Sequence, residues 1–279
     1  AGIFFLGYFL LEVPSNLMLE HFGARRWISR IMISWGIVTA LMAFVQGSAS
    51  FFCVRFLLGA TEAGFFPGVI FYLTFWFPAR YRAKMVSRFM ISTLVAAIIG
   101  GPISGAILGL DGLHGLAGWK WLFILEGVPT VLLGFITLYY LADRPRDAKW
   151  LTREESDWLE RQTEEERRSV DKVQKYSLAS ALTSGKVLVL AFVYVTVQVG
   201  CYGISMWIPQ IVKGFGGLTN LQVGFIAAIP FIFAAIGLLI IGYSSDRLME
   251  RRWHLVGALL AGTVGLIGAS LTPDQPVLA

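Results

Sequence analysis

Eight apolar stretches, each long enough to cross a lipid bilayer, dominate the chain: residues 1–19, 28–47, 52–77, 85–109, 119–141, 187–212, 220–244 and 253–271. A hydrocarbon core of about 30 Å takes roughly 20 helical residues. Backbone groups in lipid must be satisfied within the chain, so only helices or closed barrels span it, and runs without period-two alternation select helices. The expected fold is all-α: a polytopic membrane protein with about eight transmembrane helices. Only 15% of the residues are charged, against about one quarter in a water-soluble domain.

The charges follow the same plan. Twenty of the 23 Lys and Arg lie in four alternate connections: 20–30, 78–88, 142–186 and 245–252. The intervening connections hold only Lys120 and Lys213, and Arg55 lies inside a span. The positive-inside rule assigns the basic connections to the cytoplasm, which predicts a multi-pass protein of the cell (inner) membrane with a cytoplasmic central loop. The net charge of +5 is spread over these turns rather than gathered on one domain, so it fits lipid headgroups better than nucleic acid.

Familiar catalytic chemistry is not expected. Cys53 and Cys201 each lie within an apolar run, which leaves no disulfide framework or zinc site. His21, His114 and His254 fall near run ends, with no spacing that suggests a triad or a metal site. The expectation is a protein that is not an enzyme and holds no metal or cofactor.

Segment 142–186 is the one long polar stretch, with ten acidic and ten basic residues. Within it Thr152-Arg153-Glu154-Glu155 has the Thr-x-x-Glu spacing of a capping box, which predicts one or two amphipathic helices at the cytoplasmic face, with a solvated, partly helical linker as the alternative to a regulatory role. The segment divides the chain into 1–141 and 187–279.

Residues 16–26 and 242–252 align at an offset of 226, matching Glu20 with Asp246 and the pair Arg25-Arg26 with Arg251-Arg252. Each turn joins an inward to an outward span, so two related halves are implied, as in transporters built from repeats. The repeat register predicts one helix before residue 1 and three beyond residue 279, twelve in all.

The turn at 242–252 resembles the Gly-x-x-x-Asp-Arg-x-Gly-x-Arg-Arg motif of the major facilitator superfamily, departing in Met249. The turn at 16–26 departs further, with Asn16, Glu20 and His21, but keeps Gly23. Glu12-Val-Pro-Ser-Asn16, Arg55 through Gly68, Trp119 through Gly127 and Asp143-Arg-Pro145 are similar to the anion:cation symporter family within it, whose members include tartrate, hexonate and phthalate permeases. The resemblance implies six-plus-six helices around a central cavity. The visible spans are then family helices 2 to 6 (1–141) and 7 to 9 (187–279).

Four charges lie within spans: Glu12, Arg55, Glu62 and Glu126. A charge in hydrocarbon costs at least about 2.5 kcal/mol on insertion scales, so each is a functional candidate. Arg55 and Glu62, seven residues apart, share one helix face across about 10 Å of rise. An arginine grips a carboxylate through two parallel hydrogen bonds, and a carboxyl held away from water favours its protonated form. Pairing of both with polar groups on neighbouring helices is the structural alternative. The resemblance implies that Arg55 binds a substrate carboxylate and Glu62 couples protons.

Glu126 is a second candidate proton site, although pairing at a helix interface suits it at least as well. Glu12 reads as structural beside Pro14. Tyr194, Gln198, Tyr202 and Ser205 recur at helical spacing, which suits either a cavity wall or helix packing. Ala97 through Gly105 resembles a superfamily Gly-Pro pattern associated with antiporters. Glu20, Arg25, Arg26, Asp246, Arg247 and Arg251 read as conformational latches.

The expected function is proton-coupled uptake of a small organic carboxylate by a monomer in the lipid bilayer, with protons the only coupling ion. A facilitator or antiporter of the same fold for another solute is the alternative, and a non-transporting receptor is a third.

Overall fold

The computed structural model describes residues 2–173, 183–248, 250 and 252–271. Among these the chain is helical, with no strand. Its helices are α1 (Gly2–Phe22), α2 (Ala24–Leu41), α3 (Ser48–Glu62), α4 (Phe65–Trp76), α5 (Ala79–Leu108), α6 (Gly118–Tyr140), α7 (Arg153–Val173), α8 (Gly185–Gly214), α9 (Asn220–Leu248) and α10 (Arg252–Leu271). Among the described residues eight segments are long and apolar enough to cross a membrane, α3 and α4 together forming the one from Ser48 to Trp76.

That span differs from the single run read over 52–77. Ala63 turns to an extended backbone (ψ 130°) and Gly64 takes φ 85°, so the helix stops after Glu62 and restarts at Phe65. Gly64 tolerates positive φ because it lacks a Cβ. Pro67 then sits in the first turn of α4, where a missing N–H costs nothing.

By packing, the chain forms two units: residues 1–89 with 110–181, and residues 90–109 with 182–279. Helix α5 contributes its first part to one and its remainder to the other. In the first unit α2 lies against α6 and α1 against α3. Both crossings are set by glycine. A Cβ on Gly36 would stand 2.7 Å from the Gly127 carbonyl oxygen, and one on Gly59 would stand 1.9 Å from the Phe4 carbonyl oxygen. Helices in lipid gain little from burying apolar side chains, so close backbone approach at small residues supplies the contact. The other face of α6 presents Leu132, Leu133, Ile136 and Tyr140, all exposed as lipid contact requires.

In the second unit the same device recurs, Gly101 of α5 facing the Gly224 backbone of α9, where a Cβ would fall 2.8 Å from its carbonyl oxygen. Gly105, one turn on, approaches Asn220 in the same way. The Ala97 to Gly105 stretch is thus a helix-packing surface within this unit.

The polar segment carries α7, and its capping box forms as the spacing predicts. Thr152 donates its backbone N–H (2.9 Å) and hydroxyl (2.8 Å) to Glu155, whose N–H donates back to the Thr152 hydroxyl at 3.3 Å. These bonds from Thr152 hold the Glu155 carboxyl below the usual carboxylate range. Residues 174–182 lie outside the described residues.

Candidate functional site

Arg55 and Glu62 both belong to α3, Glu62 as its last residue before the break. The Arg55 guanidinium lies 5.3 Å from the centroid of Phe51 and 5.8 Å from that of Phe123 on α6. Among the described residues no acidic side chain forms an ion pair with Arg55, and no basic one with Glu62. Aromatic faces hold a cation at a gain of about 0.5–2 kcal/mol without neutralising it. The guanidinium therefore keeps its planar fork of donors free of any acidic ion-pair partner among the described residues.

Nothing in the sequence marks Phe123 as a partner of Arg55. A phenylalanine in an apolar run carries no signal until the fold sets it over an arginine.

Glu126 follows three residues after Phe123, exposed on α6 and adjacent to the glycine that packs on α2. Glu12 is half-buried on α1, and its carbonyl accepts the Asn16 side-chain amide at 2.9 Å. In the second unit α8 carries Tyr194, Gln198, Tyr202 and Ser205, with Gln198 half-buried. The Ser205 hydroxyl donates to the Cys201 carbonyl one turn back at 2.8 Å.

At the first turn, Gly23 takes φ 86° ahead of α2. Asp143 closes this turn: its carboxylate accepts the Arg25 backbone N–H at 2.8 Å and stands 3.8 Å from the Arg25 side chain. The carboxylate at Arg25 is thus Asp143, from beyond α6, whereas Glu20 and Arg26 are exposed. Asp143 lies in the Asp143-Arg-Pro145 stretch, whose function as a cap only the fold reveals.

The same device recurs where α5 begins. Glu166 of α7 accepts the Ala79 backbone N–H at 2.9 Å and pairs with Arg82 at 3.4 Å. Carboxylates of the central segment thus cap two membrane helices at the positive ends of their dipoles.

At the second turn the Asp246 side chain, Met249 and Arg251 lie outside the described residues, and Arg247 is exposed. Here His254 has partners that its place in the sequence does not reveal. It stands between the Ser244 hydroxyl (3.0 Å) and the Glu250 carboxylate (3.3 Å), the serine-histidine-acid order of a triad. The turn folds α10 back beside the end of α9, which brings residues ten apart together. Glu250 is committed elsewhere, accepting the backbone N–H groups of Arg252 (2.9 Å) and Trp253 (2.9 Å), so the cluster caps α10. Partial desolvation raises the Glu250 carboxyl, but the bonds from Trp253, His254 and Arg252 outweigh it and hold the group below its ordinary value.

The description Major Facilitator Superfamily fits residues 1–279. A relative from Agrobacterium vitis, named as a candidate tartrate transporter, is 51% identical over 270 residues, covering 97% of this chain and 62% of its own. A quinolone resistance transporter from Acinetobacter baumannii is 47% identical over 255 residues, covering 91% and 59%. This chain therefore spans about three fifths of the length of the curated relatives it matches. Among solved structures, a bacterial homologue of the human lysosomal transporter Spinster, inward-facing and occupied, superposes with a TM-score of 0.69 at 19% identity, covering 98% of this chain and 58% of that one. At that identity the likeness is one of fold.

Proposed function

This chain belongs to the Major Facilitator Superfamily over residues 1–279, and from that membership we propose that it forms the body of a secondary active transporter that takes up a small organic carboxylate in symport with protons. It is a multi-pass membrane protein whose relatives are transporters rather than enzymes. Alternating access is the mechanism this reading assigns to the full-length protein. The basic turns and central segment face the cytoplasm at the inner membrane.

The observation that carries this reading is Arg55, a charged group inside a span held by two aromatic rings with no acidic ion-pair partner among the described residues. Leaving a guanidinium so placed is costly unless a ligand uses it. A carboxylate substrate supplies the missing counter-charge, and the relative named for tartrate supports that class. Arg55 binds the anion, and Glu62, seconded by Glu126, takes and releases the proton; α8 offers Gln198, Tyr202 and Ser205 as further hydrogen-bonding candidates. Glu20, Arg25 and Arg26, with Asp246, Arg247 and Arg251, hold one facing state.

The test is uptake of labelled tartrate and other small carboxylates by the full-length protein in vesicles, with and without an inward proton gradient. The proposal expects accumulation only with the gradient and its loss in Glu62→Gln, with counterflow exchange retained. Concentrative uptake by Glu62→Gln would remove the acid from the scheme. The quinolone-resistance relative supports a second reading, drug efflux against protons, which the same vesicles distinguish by extrusion of a quinolone rather than entry of a carboxylate.

A further inference from the structure

The turn between α3 and α4 follows Glu62 directly, and it is occupied from outside. A Cβ on Gly64 would stand 2.4 Å from the Ser15 hydroxyl oxygen and 2.7 Å from the Ser15 Cβ, so Ser15 of α1 is seated against the turn. Ser15 is buried, 6% exposed, and its hydroxyl accepts the Trp27 indole N–H of α2 at 3.0 Å. One turn further, Gly68 leaves room for Leu19, also of α1. Trp27 is itself fixed, stacked on Phe22 at 5.6 Å with the Arg30 guanidinium 4.1 Å from its ring centroid.

We propose that Ser15 and Trp27 are positioning residues for Glu62: the hydroxyl, oriented by the indole, clamps the α3/α4 turn and so fixes the end of α3. The inference rests on the reading of Glu62 as the proton-coupling acid. A buried hydroxyl and indole N–H carry a desolvation cost that apolar side chains of similar size would avoid. What the polar pair adds is direction. The bond sets where the Ser15 oxygen points, and that oxygen lies against the glycine whose backbone determines where α3 ends.

Trp27 also stands two residues from Arg25, whose N–H Asp143 caps. A shift of the turn when Glu62 gains or loses its proton therefore reaches the start of α2 through one serine and one tryptophan, linking the acid to the 16–26 latch. The Glu12-Val-Pro-Ser-Asn16 stretch gains a role on this account: it delivers Ser15 to the break.

The test compares full-length Ser15→Ala, Trp27→Phe and the double variant in proteoliposomes. Steady-state accumulation under an imposed proton gradient is read beside gradient-free counterflow. Each single variant is expected to lower the accumulation ratio by about threefold or more, the scale of one lost hydrogen bond. Counterflow should stay within about twofold of wild type, and the double variant should be no worse than the singles, because both remove one interaction. A merely structural role would lower both activities in step with the folded amount, and that result overturns the clamp. So does wild-type accumulation in both single variants when Glu62→Gln has lost it. If Glu62→Gln itself still accumulates substrate, the coupling role of Glu62 fails and the clamp with it. Should Trp27→Phe yield no folded protein, Ser15→Ala decides alone, since it removes a single oxygen.

Discussion

Asp143 accepts the backbone N–H of Arg25 at 2.8 Å across 118 residues of sequence, so the chain leaving α6 closes the start of α2. A Cβ on Gly23 would lie 3.0 Å from the same carboxylate oxygen, which is why the turn is tight enough to be capped from outside. The related turn in the second unit is capped locally, by Glu250. The two turns thus match in sequence but differ in what holds them.

Removing the remote cap should be measurable. Asp143→Ala is expected to lower stability by about 1 kcal/mol, the usual value of an N-cap, and Asp143→Asn by less because an acceptor remains. Thermal unfolding of the detergent-solubilised protein checks both, and an unchanged midpoint in Asp143→Ala would show the cap to be idle.

The α2/α6 crossing makes a sharper prediction. Gly36→Leu forces a side chain where a Cβ already meets the Gly127 carbonyl oxygen at 2.7 Å, and overpacking of this kind costs about 1–3 kcal/mol or more. Gly100→Ala, with nothing within 4 Å of its Cβ, should be neutral or stabilising. Folded yield after membrane extraction separates them.

Arg55→Lys keeps the charge but loses the planar fork, and should raise the apparent KM for a carboxylate by about tenfold or more. Phe123→Leu, which removes one of the two rings that hold the guanidinium, should do so less severely. Equal transport by wild type and Arg55→Lys would indicate that a point charge suffices.

The first turn of α7 should depend on pH with a definite sign. Because the bonds from Thr152 hold the Glu155 carboxyl below its ordinary value, its contribution is fully present above the unfolded carboxylate range near pH 4.5 and is lost as pH falls through the lower folded value. The protection factors of the amides at the start of α7, which divide out the intrinsic pH dependence of exchange, should therefore be high at pH 7 and fall on acidification. Thr152→Ala should flatten that dependence.

The architecture was legible because lipid imposes one rule on every span. Runs of apolar residues, basic connections and the Thr152–Glu155 spacing each report a local constraint that residues within one helix satisfy among themselves. Arg55 and Glu62 were legible as candidates for the same reason, since an ionisable group in such a run stands out. The break at Gly64 was hidden, because Ala63-Gly64-Phe-Phe reads as apolar whether the helix continues or turns; in the fold the turn lies against Ser15 of α1.

Asp143, Phe123 and the Ser244, His254 and Glu250 cluster were decided by tertiary structure alone. Each depends on segments that folding brings together, and a hydrogen bond or a ring over a cation has no periodicity along the chain. The sequence determined which segments enter the membrane and which charges must be accounted for there. The fold decided which of those charges find partners, because that is a matter of distance between helices.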